Sequence, residues 1–392
     1  FNTRLAELTL NPSPPFIRHW TIRLLGDDHL MTTTLRAKLI ALAKTEPHAE
    51  VRSCLAASCK RWAAKDSFPI LAALIRRDED VNDKHIPLLI WWALENKAVS
   101  DSSQVTKLLA DKSLWRMPMM QTHLVKRIGQ RFTAERTPAN LLTAAQLLAL
   151  APTNADRDKL AIGMEEGLRG NAVQNPPKAL LAETAKLWKS RPHTPTLISF
   201  ATRLGLPEAM DEAIALVKNP KTSASERRAL TKLLSERRSA NALKLLLGQF
   251  KAEKNSSRRI ELMTALQRFD SNSVGAALLA RYAGMPQRER ESAQNILSSR
   301  ANWSLEFISA IDAGKIKRED VRPATVLAMQ SHKQKAIDVL VKKHWGQLRQ
   351  STEAKQQRMT AVAALIAENK GDAKAGKLVF AIACAACHRL RG

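Results

Sequence analysis

Two cysteines and a histidine stand together near the end of the chain, in the order Cys384-Ala385-Ala386-Cys387-His388. Two thiols three positions apart on one helical turn can add to the two vinyl groups of a single porphyrin, and the adjacent imidazole can then become the proximal ligand of its iron. This C-x-x-C-H spacing is the attachment signature of c-type haem. The motif therefore predicts covalent haem c on Cys384 and Cys387, with His388 as the axial ligand of the haem iron.

Other interpretations of the pentapeptide stay open. A thioredoxin-like C-x-x-C site follows a strand in a βαβ context, and a zinc ribbon needs a second C-x-x-C pair; the sequence shows neither. Coincidence is the third, although two of only four cysteines occupy this segment. The other two, Cys54 and Cys59, lie five positions apart in an apolar segment. They would face about 140° apart on a helix, which indicates buried structural thiols.

The composition predicts that helices position this motif. Glycine accounts for 14 of 392 residues, tyrosine for one, and aromatic residues for 5%, whereas strand-rich folds use many aromatic residues and glycine-rich turns. Hydrophobic residues at 45% and charged residues at 25% are typical of a folded chain. We therefore expect an all-α protein. No apolar run approaches the ~18 residues of a membrane span, so no transmembrane segment is expected.

Two phrases in the first sixty residues indicate a repeat. PPFIRHW (14–20) and EPHAEVRSC (46–54) each lead from a proline-containing turn to an apolar residue followed by arginine, and the two arginines lie 34 residues apart. Gly26 and the two aspartates after it are expected to end the first helix. Later segments such as SASERRALTKLL and NSSRRIELMTAL open with a capping residue and an arginine-rich first turn. Paired helices at this period predict an α-solenoid of stacked helical hairpins.

Several side chains are assigned to this scaffold and not to ligand binding. Trp91 and Trp92 are expected to fill the core between hairpins, and His85 is expected to be structural. The first-turn arginines are expected to bond neighbouring loops or carboxylates: Arg18, Arg52, Arg227, Arg258 and Arg288.

The net charge is the strongest global signal, with 62 Lys and Arg against 37 Asp and Glu, which gives +25. Such an excess can mark nucleic-acid binding. Here the basic residues are spread along the chain, and no stretch alternates aromatic and basic residues as a single-strand stacking platform would. We therefore expect a solvated basic surface that attracts an acidic redox partner, and no nucleic-acid partner.

The sequence divides into three expected segments. Residues 1–350 form the helical repeat region, residues 351–370 a connecting helix and linker, and residues 371–392 the start of a c-type cytochrome domain. The chain begins at Phe1 without an initiator methionine and stops at Gly392, four residues after His388. We therefore expect a fragment of a longer protein.

Several segments together resemble the large haem-binding proteins of planctomycetes and their relatives, described as membrane-bound dehydrogenase-like proteins with a CxxCH cytochrome domain. The segments that support this resemblance are PPFIRHWTIRLLGDD (14–28), EVRSCLAASCKRW (50–62), DKHIPLLIWWALE (83–95), IDAGKIKREDVRP (311–323) and GDAKAGKLVFAIACAACHRLRG (371–392). Residues 130–300 match only as generic helical repeats.

The resemblance implies a β-propeller, then a HEAT-like helical region, then a c-type cytochrome domain. The chain would hold the whole HEAT-like region and only the start of the cytochrome domain, without its distal haem ligand. Any dehydrogenase activity would lie in the absent propeller, because no catalytic constellation occurs in these residues. A c-type haem further implies the periplasm or cell envelope.

The function expected first is therefore electron transfer through haem c, with the solenoid as spacer and docking surface. One alternative is a basic HEAT-like interaction module that binds nucleic acid or an acidic protein, with the CxxCH incidental. Another is a HEAT-like DNA-repair glycosylase, which would need Trp and Asp residues gathered on a concave surface.

Overall fold

Every regular element of the computed structural model is helical, which confirms the all-α prediction for the residues that the structure describes: 2–11, 13–190, 192–346, 353–368, 371–385 and 388. The chain divides into two compact units, Phe1–Asp270 and Ser271–Gly392. The boundaries that the sequence predicts at 350 and 370 fall inside the second unit and stay predictions. Within the described residues, no helix is long and apolar enough to cross a membrane.

The α-helices have the following bounds. In the first unit they are α1 (Thr3–Thr9), α2 (Pro15–Asp27), α3 (Thr33–Thr45), α4 (Ala49–Cys59), α5 (Ala64–Ile75), α6 (Ile86–Ala98), α7 (Ser102–Ala110), α8 (Val125–Ala134), α9 (Pro138–Leu150), α10 (Asn154–Leu168), α11 (Lys178–Lys189), α12 (Pro195–Leu204), α13 (Pro207–Lys218), α14 (Ala224–Arg237), α15 (Ala240–Ala252) and α16 (Ser256–Leu266). In the second unit they are α17 (Asn272–Arg281), α18 (Gln287–Leu297), α19 (Ala301–Asp312), α20 (Pro323–Gln330), α21 (Lys335–Trp345), α22 (Glu353–Glu368) and α23 (Ala373–Ala383).

Polar caps and prolines set where many helices begin. The side-chain oxygen of the capping residue accepts a hydrogen bond from a backbone N–H of the first turn, which would otherwise lack a partner. Thr137 does so for Asn140 at 3.2 Å, as its Thr-Pro sequence predicts. The same arrangement occurs at Asn2, Thr32, Thr153, Thr194, Ser223, Ser239, Asn255, Ser271 and Asp372.

Most helices of the first unit pack on the helix after next along the chain. The even-numbered series runs from α2 through α4, α6, α8, α10, α12 and α14 to α16, and the odd-numbered series runs from α1 to α11. Helices inside either series therefore contact two neighbours of their own series, whereas α13 packs mainly on α12 and α14, and α15 on α14 and α16. Large side chains such as Trp115, Phe132, Phe200 and Phe250 are fully buried in this unit.

One arginine position recurs in the even-numbered helices. Arg18 and Arg52 are each the fourth residue of their helix, and each donates to a backbone carbonyl five residues earlier, that of Ser13 or Pro47. Each also binds a carboxylate 28 residues later, Glu46 for Arg18 and Asp80 for Arg52. The two phrases detected in the sequence are therefore equivalent in their contacts as well as in their residues.

Later helices keep this position but not always the expected residue. Arg227, fourth in α14, donates to the Thr222 carbonyl at 2.7 Å, as expected. In α16 the fourth residue is Arg259, which donates to the Lys254 carbonyl at 3.1 Å. Arg258 instead crosses to Thr231 on α14 at 3.0 Å and to Glu261 at 2.7 Å.

In α18 the arginine at the fourth position of the helix lies two residues after the one that the sequence predicts. Its fourth residue is Arg290, whose guanidinium lies 3.1 Å from a carboxylate oxygen of Asp320. Arg288, which the sequence analysis assigned to this role, lies exposed. The kind of contact was predicted correctly, whereas the residue depends on where the helix begins.

The predicted end of the first helix is confirmed, since α2 ends at Asp27 with Asp28 as its C-cap. Gly26 lies in the last turn and is buried, and an added Cβ would lie 2.7 Å from the Arg61 guanidinium and 2.9 Å from the Ser58 hydroxyl. One expectation about the core is wrong: Trp91 is buried as expected, but Trp92 is 44% exposed.

In the second unit, α17 packs on α19 and α19 on α21, while α18 and α20 pack beside this row. Trp303 and Phe307 of α19 are fully buried. By contrast, the described side chains of α22 and of α23 include none that is buried. These two helices leave apolar side chains in contact with solvent: Met359, Val362, Leu365, Ile366, Leu378, Val379 and Ile382.

Candidate functional site

The helix α23 leads into the cysteine motif. Asp372 caps it, because Oδ1 accepts hydrogen bonds from the backbone N–H of Lys374 at 2.8 Å and of Ala375 at 3.1 Å. The following residues are mostly good helix formers, and the helix runs to Ala383. Its last turn closes with the Cys384 N–H, which lies 2.9 Å from the Phe380 carbonyl. The helix thus delivers Cys384 at its end.

The motif begins where α23 ends. Cys384 is the residue after the last helical one and carries a half-buried free thiol. The His388 backbone N–H donates to the Cys384 carbonyl at 2.9 Å, a bond that spans one helical turn. His388 is exposed. Cys387 lies outside the described residues, so its position relative to the other two stays a prediction.

An apolar strip precedes the motif on α23. Leu378 is 69% exposed, Val379 63% and Ile382 87%. Apolar side chains this exposed are unusual when they lie together on one short helix, and such patches mark surfaces that bind something apolar. Leu378 therefore lies mostly in contact with solvent.

The side chains of Cys384 and His388 are of the types that attach haem c and ligate its iron. The free thiol at Cys384 can form a thioether, and the exposed imidazole at His388 is accessible to ligate iron. A protein-ligated metal ion is a different case. Within the described ranges no three His, Cys, Asp or Glu side chains lie close enough together to hold one.

The other cysteines lie far inside the first unit. The Cys54 thiol donates to the His19 carbonyl at 3.3 Å, and Cys59 is fully buried beside the Ser67 carbonyl. Burial raises the pKa of both thiols because the charged thiolate is disfavoured away from water. Both therefore match the prediction of structural thiols. His85 is exposed before α6 and contributes its backbone to the turn with Asp83.

The structure also contains a buried charge cluster that was not predicted from the sequence. Arg203 of α12 lies between Glu165 of α10 and Glu236 of α14, and all three side chains are buried. Its Nε lies 3.0 Å from both Glu165 oxygens, and its Nη1 binds Glu236. Burial raises the pKa of Glu165 despite the neighbouring guanidinium. The available signal was a charged residue on the apolar face of three consecutive even-numbered helices.

A comparison of the chain with protein-family models, curated proteins and solved structures found no match. The resemblance to planctomycete haem-binding proteins therefore stays a prediction based on the quoted segments. What the structure supplies for a functional proposal is the local arrangement of Cys384, His388 and the apolar strip on α23.

Proposed function

We propose that the chain is the haem c-binding part of an electron-transfer protein. The observation that supports this most strongly is the CAACH pentapeptide, placed directly after a capped helix with exposed apolar side chains. Cys384 and Cys387 would hold the haem through thioether bonds, and His388 would ligate its iron. When bound, haem c supplies a one-electron iron couple. The chain's own contribution is attachment, orientation and exclusion of water.

The apolar strip has a defined part in this proposal. Leu378, Val379 and Ile382 would cover the porphyrin edge and limit the access of water to it, which would influence the redox potential of the iron. A haem that covers these side chains would also remove the largest solvent-exposed apolar surface on α23.

We propose in addition that the helical region is a HEAT-like α-solenoid that acts as a spacer and docking surface. The packing of most helices of the first unit on the one after next supports it. So do the equivalent contacts of Arg18 and Arg52, 34 residues apart. A stacked scaffold of this type positions a redox group at a distance from other domains.

The proposed setting is a larger dehydrogenase-like chain in the periplasm or cell envelope. Catalysis would lie in a propeller outside these residues, and electrons would pass through the haem to an acidic partner protein. The net charge of +25 supports this choice of partner, because opposite charge accelerates encounter between redox proteins.

Covalent haem loading tests the proposal directly. The full reading frame is expressed with a cytochrome c maturation system, and denatured protein is separated on a gel and stained for haem. We expect haem that migrates with the polypeptide and is lost when Cys384→Ala and Cys387→Ala are combined, because each single variant keeps one thiol that can form a thioether. Cys54→Ala is the matched control, because it removes a thiol outside the motif, and it should keep its haem. Wild-type protein without covalent haem would falsify the proposal.

A further inference from the structure

A basic groove lies between α14 and α16 of the first unit. It has a volume of 360 Å³, and four cationic side chains line it against one carboxylate, Glu261. The cations are Arg228, Lys232, Arg258 and Arg268. Excess charge of this kind in a concave surface attracts anions, because the walls focus the field.

Two of these guanidiniums converge on one oxygen atom. Arg228 Nε lies 3.2 Å and Arg258 Nη1 lies 2.7 Å from the same atom, Glu261 Oε2. The hydrogen bond from Arg258 contributes most to the lowered pKa of Glu261. A single carboxylate carries one negative charge, so it neutralises only one of the two guanidiniums. The site is therefore shaped for an oxyanion and is short of negative charge.

A second groove adjoins the first and shares the same two arginines. It has a volume of 580 Å³, and Arg227 and Lys254 add to its lining, with Glu253 as its carboxylate. Across both grooves, six cationic side chains face two carboxylates. The Arg227 guanidinium is held at a fixed position by the carbonyls of Thr222 and Pro220, at 2.7 and 3.1 Å. An extended anion with several charges fits this surface better than a single monovalent ion.

The lining also indicates the type of anion. No aromatic side chain lines either groove, so nucleic-acid bases would find no stacking surface. The hydroxyl groups of Thr231, Ser235 and Thr264 donate to helix carbonyls, which leaves recognition to the cations. A phosphate group concentrates up to two charges on three oxygens, and guanidinium pairs bind it in a forked geometry.

We propose that this groove binds a small, multiply phosphorylated anion, with one phosphate oxygen in the place that Glu261 Oε2 occupies. The proposal is independent of haem binding, since it concerns the first unit alone. It gives this unit a ligand-binding role beyond that of a spacer. A ligand of this class would join α14 to α16 through two guanidiniums and reduce the repulsion among the cations.

The test measures binding of inorganic tripolyphosphate to the full chain by calorimetry at moderate ionic strength. We expect saturable one-to-one binding, weakened about tenfold or more in Arg228→Ala, since a hydrogen bond between charged groups is lost. Arg76→Ala is the matched control: it also removes one partly exposed, ion-paired arginine from the same unit, but outside the groove. An equal loss in both variants would mean that only total charge matters and would overturn the proposal.

Two further binding measurements test the position and the type of the ligand. Glu261→Gln should bind tripolyphosphate more tightly than wild type, because the competing carboxylate is gone; weaker binding would overturn the placement of the phosphate. Polyglutamate and short duplex DNA serve as other anions. If either binds as tightly as tripolyphosphate at equal charge, the groove is not a phosphate site. Lys232→Ala, at an exposed position, repeats the measurement should Arg228→Ala fold poorly.

Discussion

Arg52 and Arg76 each place a guanidinium nitrogen 2.5 Å from an aspartate oxygen, but their surroundings differ. The side chains of Arg52 and Asp80 are at most 5% exposed, whereas those of Arg76 and Asp111 are 38% and 47% exposed. An exposed pair gains little because water and ions screen it. A buried pair gains little in net terms as well, but removing one partner leaves an uncompensated buried charge.

Arg52→Met should therefore reduce the free energy of unfolding by about 3–5 kcal/mol, because Asp80 would remain buried without its partner. Arg76→Met should reduce it by about 1 kcal/mol or less. Urea unfolding of both variants followed by circular dichroism measures the difference. Equal losses would show that burial does not distinguish the two pairs.

Glu165, which is buried beside Arg203, makes stability depend on pH. The pKa of Glu165 in the folded chain is raised above its usual value of 4.5, chiefly by burial. A carboxyl with a raised pKa favours folding in its protonated form. Its contribution is fully present below about pH 4.5 and is lost as the pH rises through the folded pKa.

Glu165→Gln removes this loss, because the amide stays neutral at every pH while its oxygen can still accept from Arg203. The variant should gain stability relative to wild type as the pH rises from 4.5 to 8. Urea unfolding at several pH values measures this gain, with Glu208→Gln, an exposed position on α13, as the control. A difference from wild type that stays constant with pH would contradict the prediction.

At the scale of elements, glycines allow the helices α8 and α10 to pack closely against each other. A Cβ added to Gly163 would lie 1.8 Å from the Lys126 carbonyl oxygen, and one added to Gly129 would lie 2.4 Å from that of Leu160. Both partners are backbone atoms, so no side chain can move aside. The glycines allow the two backbones to touch.

Gly163→Ala should therefore cost about 3 kcal/mol or more of unfolding free energy, at the upper end for overpacked sites. Gly248→Ala is the matched control, since it also lies inside a helix of the first unit but has open space around it. It should stabilise the chain by about 0.5–1 kcal/mol, because alanine favours helix. Both values come from denaturant unfolding; a mild effect at Gly163 would show that α8 and α10 can separate.

The sequence allowed the helices to be predicted better than their contacts. Caps such as Thr137 and the arginine-containing phrases can be recognised from a few consecutive residues, and their contacts follow from helix geometry. Which arginine stands fourth in α16 could not be predicted, since Arg258 and Arg259 are adjacent and a shift of one residue exchanges their roles. The scarce glycines at 129 and 163 were overlooked because they interrupt no helix.

The site shows the same division. The CAACH motif is recognisable in the sequence alone, and the structure places Cys384 directly after the end of α23. The exposure of Leu378 and of Trp92 was not predicted, because an apolar residue on a helix gives no sign of whether a neighbour covers it. Exposure is a property of tertiary packing.

At the scale of the whole molecule, the division after Asp270 was hidden in the sequence. Ser271 caps α17 just as other serines and threonines cap helices inside the first unit, so the boundary has no distinctive composition. Each unit nevertheless has its own buried core. Ile128 in the first unit and Ile308 in the second are both fully buried.

We therefore expect two thermal transitions. Ile128→Val and Ile308→Val each remove one buried methylene and should cost about 0.5–1.5 kcal/mol. Each should lower only the transition of its own unit, by a few degrees. Differential scanning calorimetry of the full chain with each variant checks this; a single transition shifted by both substitutions would show that the units unfold together.

The burial of Cys54 and Cys59 has a consequence for chemical labelling. Their thiols stay protonated and inaccessible in the folded chain, so a maleimide should find targets only in the CAACH segment. Mass spectrometry should count at most two adducts on folded apoprotein and four on denatured apoprotein, since the chain has four cysteines. Haem attachment should abolish the first count and halve the second. Because the core protects Cys54 and Cys59, the number of maleimide adducts on the folded chain reports how completely haem is attached to the CAACH motif.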